Sequence, residues 1–190
     1  MDLRERLKEY TKEGLVKRIS CRSRERVFTS ENQKGVWVLL SGLAELCMGE
    51  GAEFRLLDIM LPGDVFGVLS DKVQTKGVYL RAFTPSVFLY TETENFEKLG
   101  TKDPKLVLDV FSALLQKQAM LYEAMSHLSR ARAREKIDGF LRFLINLAEE
   151  RGAEVFVNKR QIASLTGLSY EHVVRTMNSV SLESRRVRIW

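Results

Sequence analysis

The chain has 190 residues, room for one large or two small domains, and its 45% hydrophobic and 29% charged content is that of a folded globular protein rather than a disordered or fibrous one. The net charge of +5 is unevenly placed: residues 1–128 hold 18 basic and 18 acidic side chains, whereas residues 129–190 hold 12 basic against 7 acidic. That asymmetry suits a neutral front domain and a nucleic-acid-binding rear domain; taken alone it would also fit a solvated charged face.

Other classes find little support. Cys21 and Cys47 belong to no CxxC or Cys/His cluster, so no zinc site is suggested. Cys47 reads as a small buried side chain in a strand, with a redox role for the pair as the alternative. There is no Ser/His/Asp set, no phosphate-cradling glycine loop and only 2 histidines, so catalysis is not indicated. The N-terminus, MDLRERLKEYTKEG, is charged, and no secretory leader or membrane-length apolar run occurs, so the expected location is the cytoplasm with no membrane partner.

In chain order, residues 2–13 predict a short amphipathic helix with Leu3, Leu7 and Tyr10 at helical spacing, ended by Gly14. From Leu15 to Tyr90 the runs become short and apolar. Val27-Phe28 and Val36 to Leu40 read as strands flanking a turn. Leu43 to Met48, Phe54 to Ile59, Val78 to Phe83 and Ser86 to Tyr90 read as further strands. Many short strands between turn residues predict a small all-β barrel or roll.

Near Phe96 the pattern becomes helical. Asp103 as N-cap and Pro104 at the first helical position open a helix that runs unbroken to Leu128. Val107, Phe111, Leu114, Gln118, Leu121, Met125 and Leu128 follow 4-3 spacing, a coiled-coil seam with one polar member, which predicts self-association; burial within the chain is the alternative. A second stripe, Leu108, Leu115 and Tyr122, is a candidate for packing on the β domain. The basic run SRARAREK (129–136) links to an amphipathic helix through Ile137, Phe140, Leu141, Leu144, Ile145 and Ala148, ending at Gly152. Val155 to Val157 is extended.

The stretch NKRQIASLTGLSYEHVVRTMNSV (158–180) reads as a helix-turn-helix. Ile162, Ala163 and Leu165 give the first helix an apolar face, and small Ala163 permits a close crossing. Gly167 supplies the turn, Leu168 plugs it and Ser169 caps the second helix. Val173 and Met177 turn inward, leaving Tyr170, Glu171, Val174, Arg175 and Asn178 outward. In such a motif the start of the second helix meets base edges: Glu171 suits cytosine N4, and Arg175 suits guanine O6 and N7. Lys159, Arg160 and His172 are placed for phosphate. The pattern alone would also describe a helical hairpin with a charged surface.

This order of elements resembles the CRP/FNR family of bacterial transcription regulators, over nearly the whole chain. The resemblance rests on Val36-Trp37-Val38-Leu39-Leu40-Ser41-Gly42, on the PGD-x-x-G turn Leu61-Pro62-Gly63-Asp64-Val65-Phe66-Gly67, on Leu80-Arg81-Ala82 and Phe96, and on the helix-turn-helix. It implies an α+β protein with an N-terminal β-roll of cupin or jelly-roll type (1–102), a long dimerisation helix (103–128) and a C-terminal helix-turn-helix domain (129–190) with a shortened wing. It implies a homodimer on a pseudo-palindromic site in double-stranded DNA, its second helix at 169–180. RNA polymerase and a small-molecule effector are implied as further partners. Glu171 and Arg175 fall where family members read bases, whereas Tyr170 replaces an Arg or Val.

The departures are specific. Cyclic-AMP-binding members follow the turn with a glutamate and then an Arg-Ser pair, where this chain has Val68 and the stretch LSDKVQTKG with Lys76. Lysine lacks the bidentate fork of arginine, which argues against cyclic AMP. The cysteine cluster of iron–sulfur members is absent, and a haem ligand is not assignable, so the cofactor is left open. His127 is expected at the dimer rim. After the second helix only SLESRRVRIW remains, with Arg185, Arg186 and Arg188 placed for phosphate and Val187, Ile189 and Trp190 as one strand. A ligand-sensing or dimerisation module with a weak DNA head is the alternative function.

Overall fold

The computed structural model describes residues 3–29, 34–50, 54–68, 77–129, 132–178 and 186–189. They fall into two compact units, Met1–Lys117 and Gln118–Trp190.

The first unit opens with α1 (Leu3–Glu9), which stops four residues short of the expected end as the chain turns into Gly14. Among the described residues eight strands follow: β1 (Lys17–Cys21), β2 (Arg26–Thr29), β3 (Gly35–Ser41), β4 (Ala44–Met48), β5 (Arg55–Met60), β6 (Val65–Val68), β7 (Val78–Ala82) and β8 (Ser86–Glu92). They form two antiparallel four-stranded sheets of order β1-β8-β3-β6 and β2-β7-β4-β5. The sequence did not single out β1 or β6. The runs read as strand, turn, strand around residue 31 lie in different sheets, since β2 pairs with β7 and β3 with β8 and β6.

Strand β3 shows why its apolar run is unbroken. Successive side chains point to opposite faces. Trp37 and Leu39 join Phe28, Met60, Leu80 and Phe88 in a core drawn from both sheets, and Val36 and Val38 join Leu7, Val65, Leu89, Phe96, Leu99, Leu106 and Val110 in a second core with the helices. Each face therefore buries apolar surface, at roughly 1.5–3 kcal/mol per large side chain. Trp37 stacks on Tyr90 with centroids 4.3 Å apart. Cys47 is fully buried, as expected of a small apolar filler.

The PGD-x-x-G segment is half turn, half strand. Gly63 has φ +95°, and the Asp64 side chain accepts from Leu61 N–H at 3.1 Å. Gly67 belongs to β6, opposite Val36, so its need is room rather than a corner: a Cβ there would lie 2.3 Å from the Gly35 carbonyl oxygen.

Helix α2 (Thr93–Lys102) leads to α3 (Pro104–Leu128). Asp103 Oδ1 accepts from Leu106 N–H at 3.1 Å, the expected N-cap. One expectation about α3 is corrected. The candidate stripe for the β domain is open, with Leu108 65%, Leu115 63% and Tyr122 62% exposed. The face against the roll carries Leu106 and Val110, with Val107, Ala113 and Leu114 half-buried beside them. Helical phase is the reason: Leu106, Val110, Ala113 and Lys117 share one side of the helix, and Val107 and Leu114 flank it.

In the second unit, α4 (Ala133–Glu150) buries Ile137, Phe140, Leu141, Leu144, Leu147 and Ala148 and packs on α5 (Lys159–Thr166) and α6 (Tyr170–Met177). Ile145 is half-buried. Strand β9 (Val155–Val157) pairs in parallel with β10 (Val187–Ile189), Val155 opposite Val187. Trp190 lies outside the described residues.

Candidate nucleic-acid interface

Local interactions build the corner between α5 and α6. Asn158 Oδ1 accepts from Gln161 N–H at 2.9 Å, and Gln161 Oε1 accepts from Asn158 N–H at 2.7 Å, a reciprocal capping box. The sequence reading missed this, although an Asn followed three residues later by Gln before an apolar run is its signature. Ile162 is fully buried and Ala163 nearly so; Gln161 and Thr166 are also buried, and Leu165 is only half-buried. Thr166 Oγ1 donates to the Ile162 carbonyl at 2.6 Å.

Gly167 takes the left-handed conformation, φ +67° and ψ 20°, and its N–H caps the Ala163 carbonyl. Ser169 Oγ then accepts from His172 N–H at 3.3 Å, and Val173 N–H donates to the Ser169 carbonyl at 3.0 Å. The second helix therefore starts where expected.

Val173 is fully buried, and Met177 and Val174 are half-buried. Ser169, Tyr170, Glu171, His172, Arg175 and Asn178 are exposed, as is Arg160; Lys159 is half-buried. The Arg160 guanidinium lies 5.8 Å from the centre of the Tyr170 ring, within cation–π range. The surface thus combines a carboxylate acceptor, an arginine fork and a phenol on one short helix, with cations at the start of the helix before it. Arg186 is exposed and Arg188 sits 5.8 Å over the Phe156 ring. Arg185, Lys76 and the side chains of His127 and Val68 lie outside the description, so the stretch compared with cyclic-nucleotide sites is not placed.

Along α3 the predicted seam divides. Phe111, Gln118, Leu121 and Met125 are exposed, whereas Val107, Leu114 and Leu128 are half-buried. With Leu108, Leu115 and Tyr122, the open positions read 108, 111, 115, 118, 122 and 125, again at 3-4 spacing. Gln118 Nε2 donates to Tyr122 Oη at 2.7 Å.

A third arrangement was not foreseen. Lys117, on α3, is 12% exposed, and its ammonium donates to Asp58 Oδ2 at 2.7 Å, Asp64 Oδ2 at 2.7 Å and the Ile59 carbonyl at 3.2 Å. Burial opposes its charge, but the two carboxylates outweigh burial and hold its pKa above the ordinary lysine value. Its signal in sequence was its isolation as the sole charged residue between Asp109 and Glu123. Among the described residues, no group of three or more His, Cys, Asp or Glu side chains is placed to hold a metal ion, and no helix is long and apolar enough to cross a membrane.

A two-sheet roll, a long helix and a capped helix-turn-helix in one chain make the fold of the CRP/FNR regulators. The chain is similar to a CooA mutant from Carboxydothermus hydrogenoformans (TM-score 0.69, 19% identity, 94% of this chain and 84% of that one). It is also similar to the c-di-GMP responsive global regulator CLP of Xanthomonas campestris (TM-score 0.69, 19% identity, 92% and 90%), and to a CRP-family transcriptional regulator from Thermus thermophilus (TM-score 0.65, 18% identity, 86% and 83%). In sequence, the HTH-type transcriptional regulator Cmr of Mycobacterium tuberculosis is 31% identical over 84 residues, 44% of this chain. The match spans about a third (34%) of that curated relative. No protein-family model matches the chain.

Proposed function

We propose that this chain is a homodimeric, sequence-reading DNA-binding transcription regulator. The observation that carries the reading is the capped α6, whose exposed face gathers Tyr170, Glu171, His172 and Arg175 while Val173 anchors it. Glu171 and Arg175 read base edges, and Lys159, Arg160, Ser169 and His172 hold phosphate beside them. Two copies join along the open face of α3, through Leu108, Phe111, Leu115, Gln118, Tyr122 and Met125, with Leu121 at its margin. This sets two recognition helices in successive major grooves about 34 Å apart.

In this division of labour, residues 1–102 form the effector-type roll, 103–128 the dimer helix and 129–190 the DNA-binding head. A small effector in the roll and contact with RNA polymerase complete the scheme, with cytoplasmic DNA as the target. The similarity of the fold to the regulators CLP and CooA supports this reading.

The test is selection from a pool of random duplex DNA at two salt concentrations. A two-fold-symmetric motif is expected, with log affinity falling by about 0.9 per phosphate contact for each tenfold rise in salt. Arg175→Ala should cost about 1–3 kcal/mol of specific binding and little non-specific binding. Equal loss on both kinds of DNA removes the base-reading role of Arg175. A dimer with no salt-dependent DNA binding returns the alternative, a sensing or dimerisation module with a weak head.

A further inference from the structure

We infer that Lys117 is a positioning residue that selects which of two overlapping heptad registers α3 offers to a second copy of the chain. This rests on the dimer reading above.

The sequence of α3 is ambiguous about its seam. Phe111, Gln118 and Met125 form one column, and an apolar column lies on each side of it: Val107, Leu114, Leu121 and Leu128 on one flank, Leu108, Leu115 and Tyr122 on the other. Both combinations obey 4-3 spacing. The flanking columns are one residue apart, about 100° around the helix. Apolar burial is non-directional, so apolar side chains on both flanks do not by themselves say which should meet a partner.

The structure resolves the choice by turning the Val107 and Leu114 flank toward the roll and leaving Leu108 and Leu115 open. The fully buried apolar anchors, Leu106 and Val110, sit in the first two turns of the helix. Lys117 lies seven residues beyond Val110, about 10 Å along the axis, at the centre of the same face. Its three donors meet three fixed acceptors: two carboxylates and a carbonyl, at 2.7, 2.7 and 3.2 Å. Those acceptors are themselves held, since Asp58 Oδ1 accepts from Ile59 N–H at 2.8 Å and Asp64 Oδ2 accepts from Leu61 N–H at 3.1 Å. Directional bonds of this kind fix rotation where packing leaves it open, and register is the best-attested use of a buried polar group. The contact also ties the PGD turn directly to the residue preceding Gln118 in the seam.

The experiment is disulfide cross-linking of the full-length protein between copies, with cysteine placed at Leu114 or at Leu115 and the parent chain, with its buried Cys21 and Cys47, as the blank. In the parent background Leu115→Cys should cross-link and Leu114→Cys should not. Adding Lys117→Met should shift the 115-to-114 ratio toward 114 by about tenfold or more, and Lys117→Arg should restore most of the parent ratio. If Lys117→Met does not fold, the paired variant Asp58→Asn with Asp64→Asn is used, with the same shift expected. An unchanged ratio in a persisting dimer overturns the role of Lys117 and leaves the dimer reading intact. No cross-link at either site, together with a monomeric mass, overturns the dimer reading and the inference with it. Loss of stability alone moves neither ratio.

Discussion

Replacing Gly167 by alanine isolates the backbone cost of the corner that aims α6. At φ +67° a Cβ costs about 1–2 kcal/mol in left-handed geometry. The alanine chain also has less freedom to lose on folding, which offsets about 0.4–1 kcal/mol. No further term enters, because a Cβ built at Gly167 meets nothing within 4 Å. The net expectation is a loss near 1 kcal/mol for alanine and clearly less for asparagine, which tolerates the conformation. Hydrogen exchange of the Val173 amide, bonded to the Ser169 carbonyl at 3.0 Å, reports local opening of this corner. About 1 kcal/mol corresponds to roughly a fivefold loss of protection. A Gly167→Ala protein as protected as the parent, or an asparagine variant no better than alanine, would refute the strain argument. A loss beyond about 3 kcal/mol would mean a clash that the open surroundings do not contain.

Other predictions separate other mechanisms. Gly67→Ala should cost about 1–3 kcal/mol by overpacking in thermal or urea unfolding, since its Cβ would lie 2.3 Å from the Gly35 carbonyl oxygen; a neutral result would show that β3 and β6 can part. Asn158→Ala should destabilise the head by about 0.5–2 kcal/mol through loss of the capping box, and Asn158→Ser should recover most of it. Burial, and then the charge of Glu45, push the Cys47 thiol up to about 11. The native protein should therefore resist thiol alkylation at Cys47 at pH 8 and react quickly once unfolded; rapid native alkylation there would contradict its burial. Lys117 has a folded pKa raised above the unfolded value of 10.5, so its contribution is complete below 10.5 and is lost as pH rises from there through the folded pKa. Unfolding titrations of the parent and Lys117→Met should converge above that pH, and a gap that stays constant would refute the linkage.

Most of the architecture was legible because it is local or periodic. The cap at Asp103, the glycine corner at Gly167 and the outward Tyr170, Glu171, Arg175 and Asn178 follow from residue types at fixed spacing and stand where the sequence put them, whereas Val174, expected outward, is half-buried. What was not legible depends on which partner an element finds. Strand β1 carries Lys17, Arg18 and Ser20 on an exposed edge, and only its pairing with β8 reveals it. Both flanks of α3 are apolar, so periodicity named a stripe without saying which side would meet the roll. The ion group of Lys117 joins residues more than fifty positions apart, a distance no window along the chain can span.

The small parallel sheet has a consequence of its own. Val155 and Val187 pair across the whole helix-turn-helix, and the Val155 N–H donates to the Arg186 carbonyl at 2.7 Å. Both ends of the helical pair are thus stapled together by main chain, which shortens the loop whose ends must otherwise be brought together by side-chain packing. Alanine scanning there reports the packing of the buried Val155 and Val187 and leaves these main-chain bonds in place, because every residue except proline supplies the same N–H and C=O. They would be exposed instead by proline substitution or by removing an amide proton through ester replacement. In this head the bonds that close it are therefore set by backbone and not by side-chain identity, even though Val155 and Val187 are themselves buried.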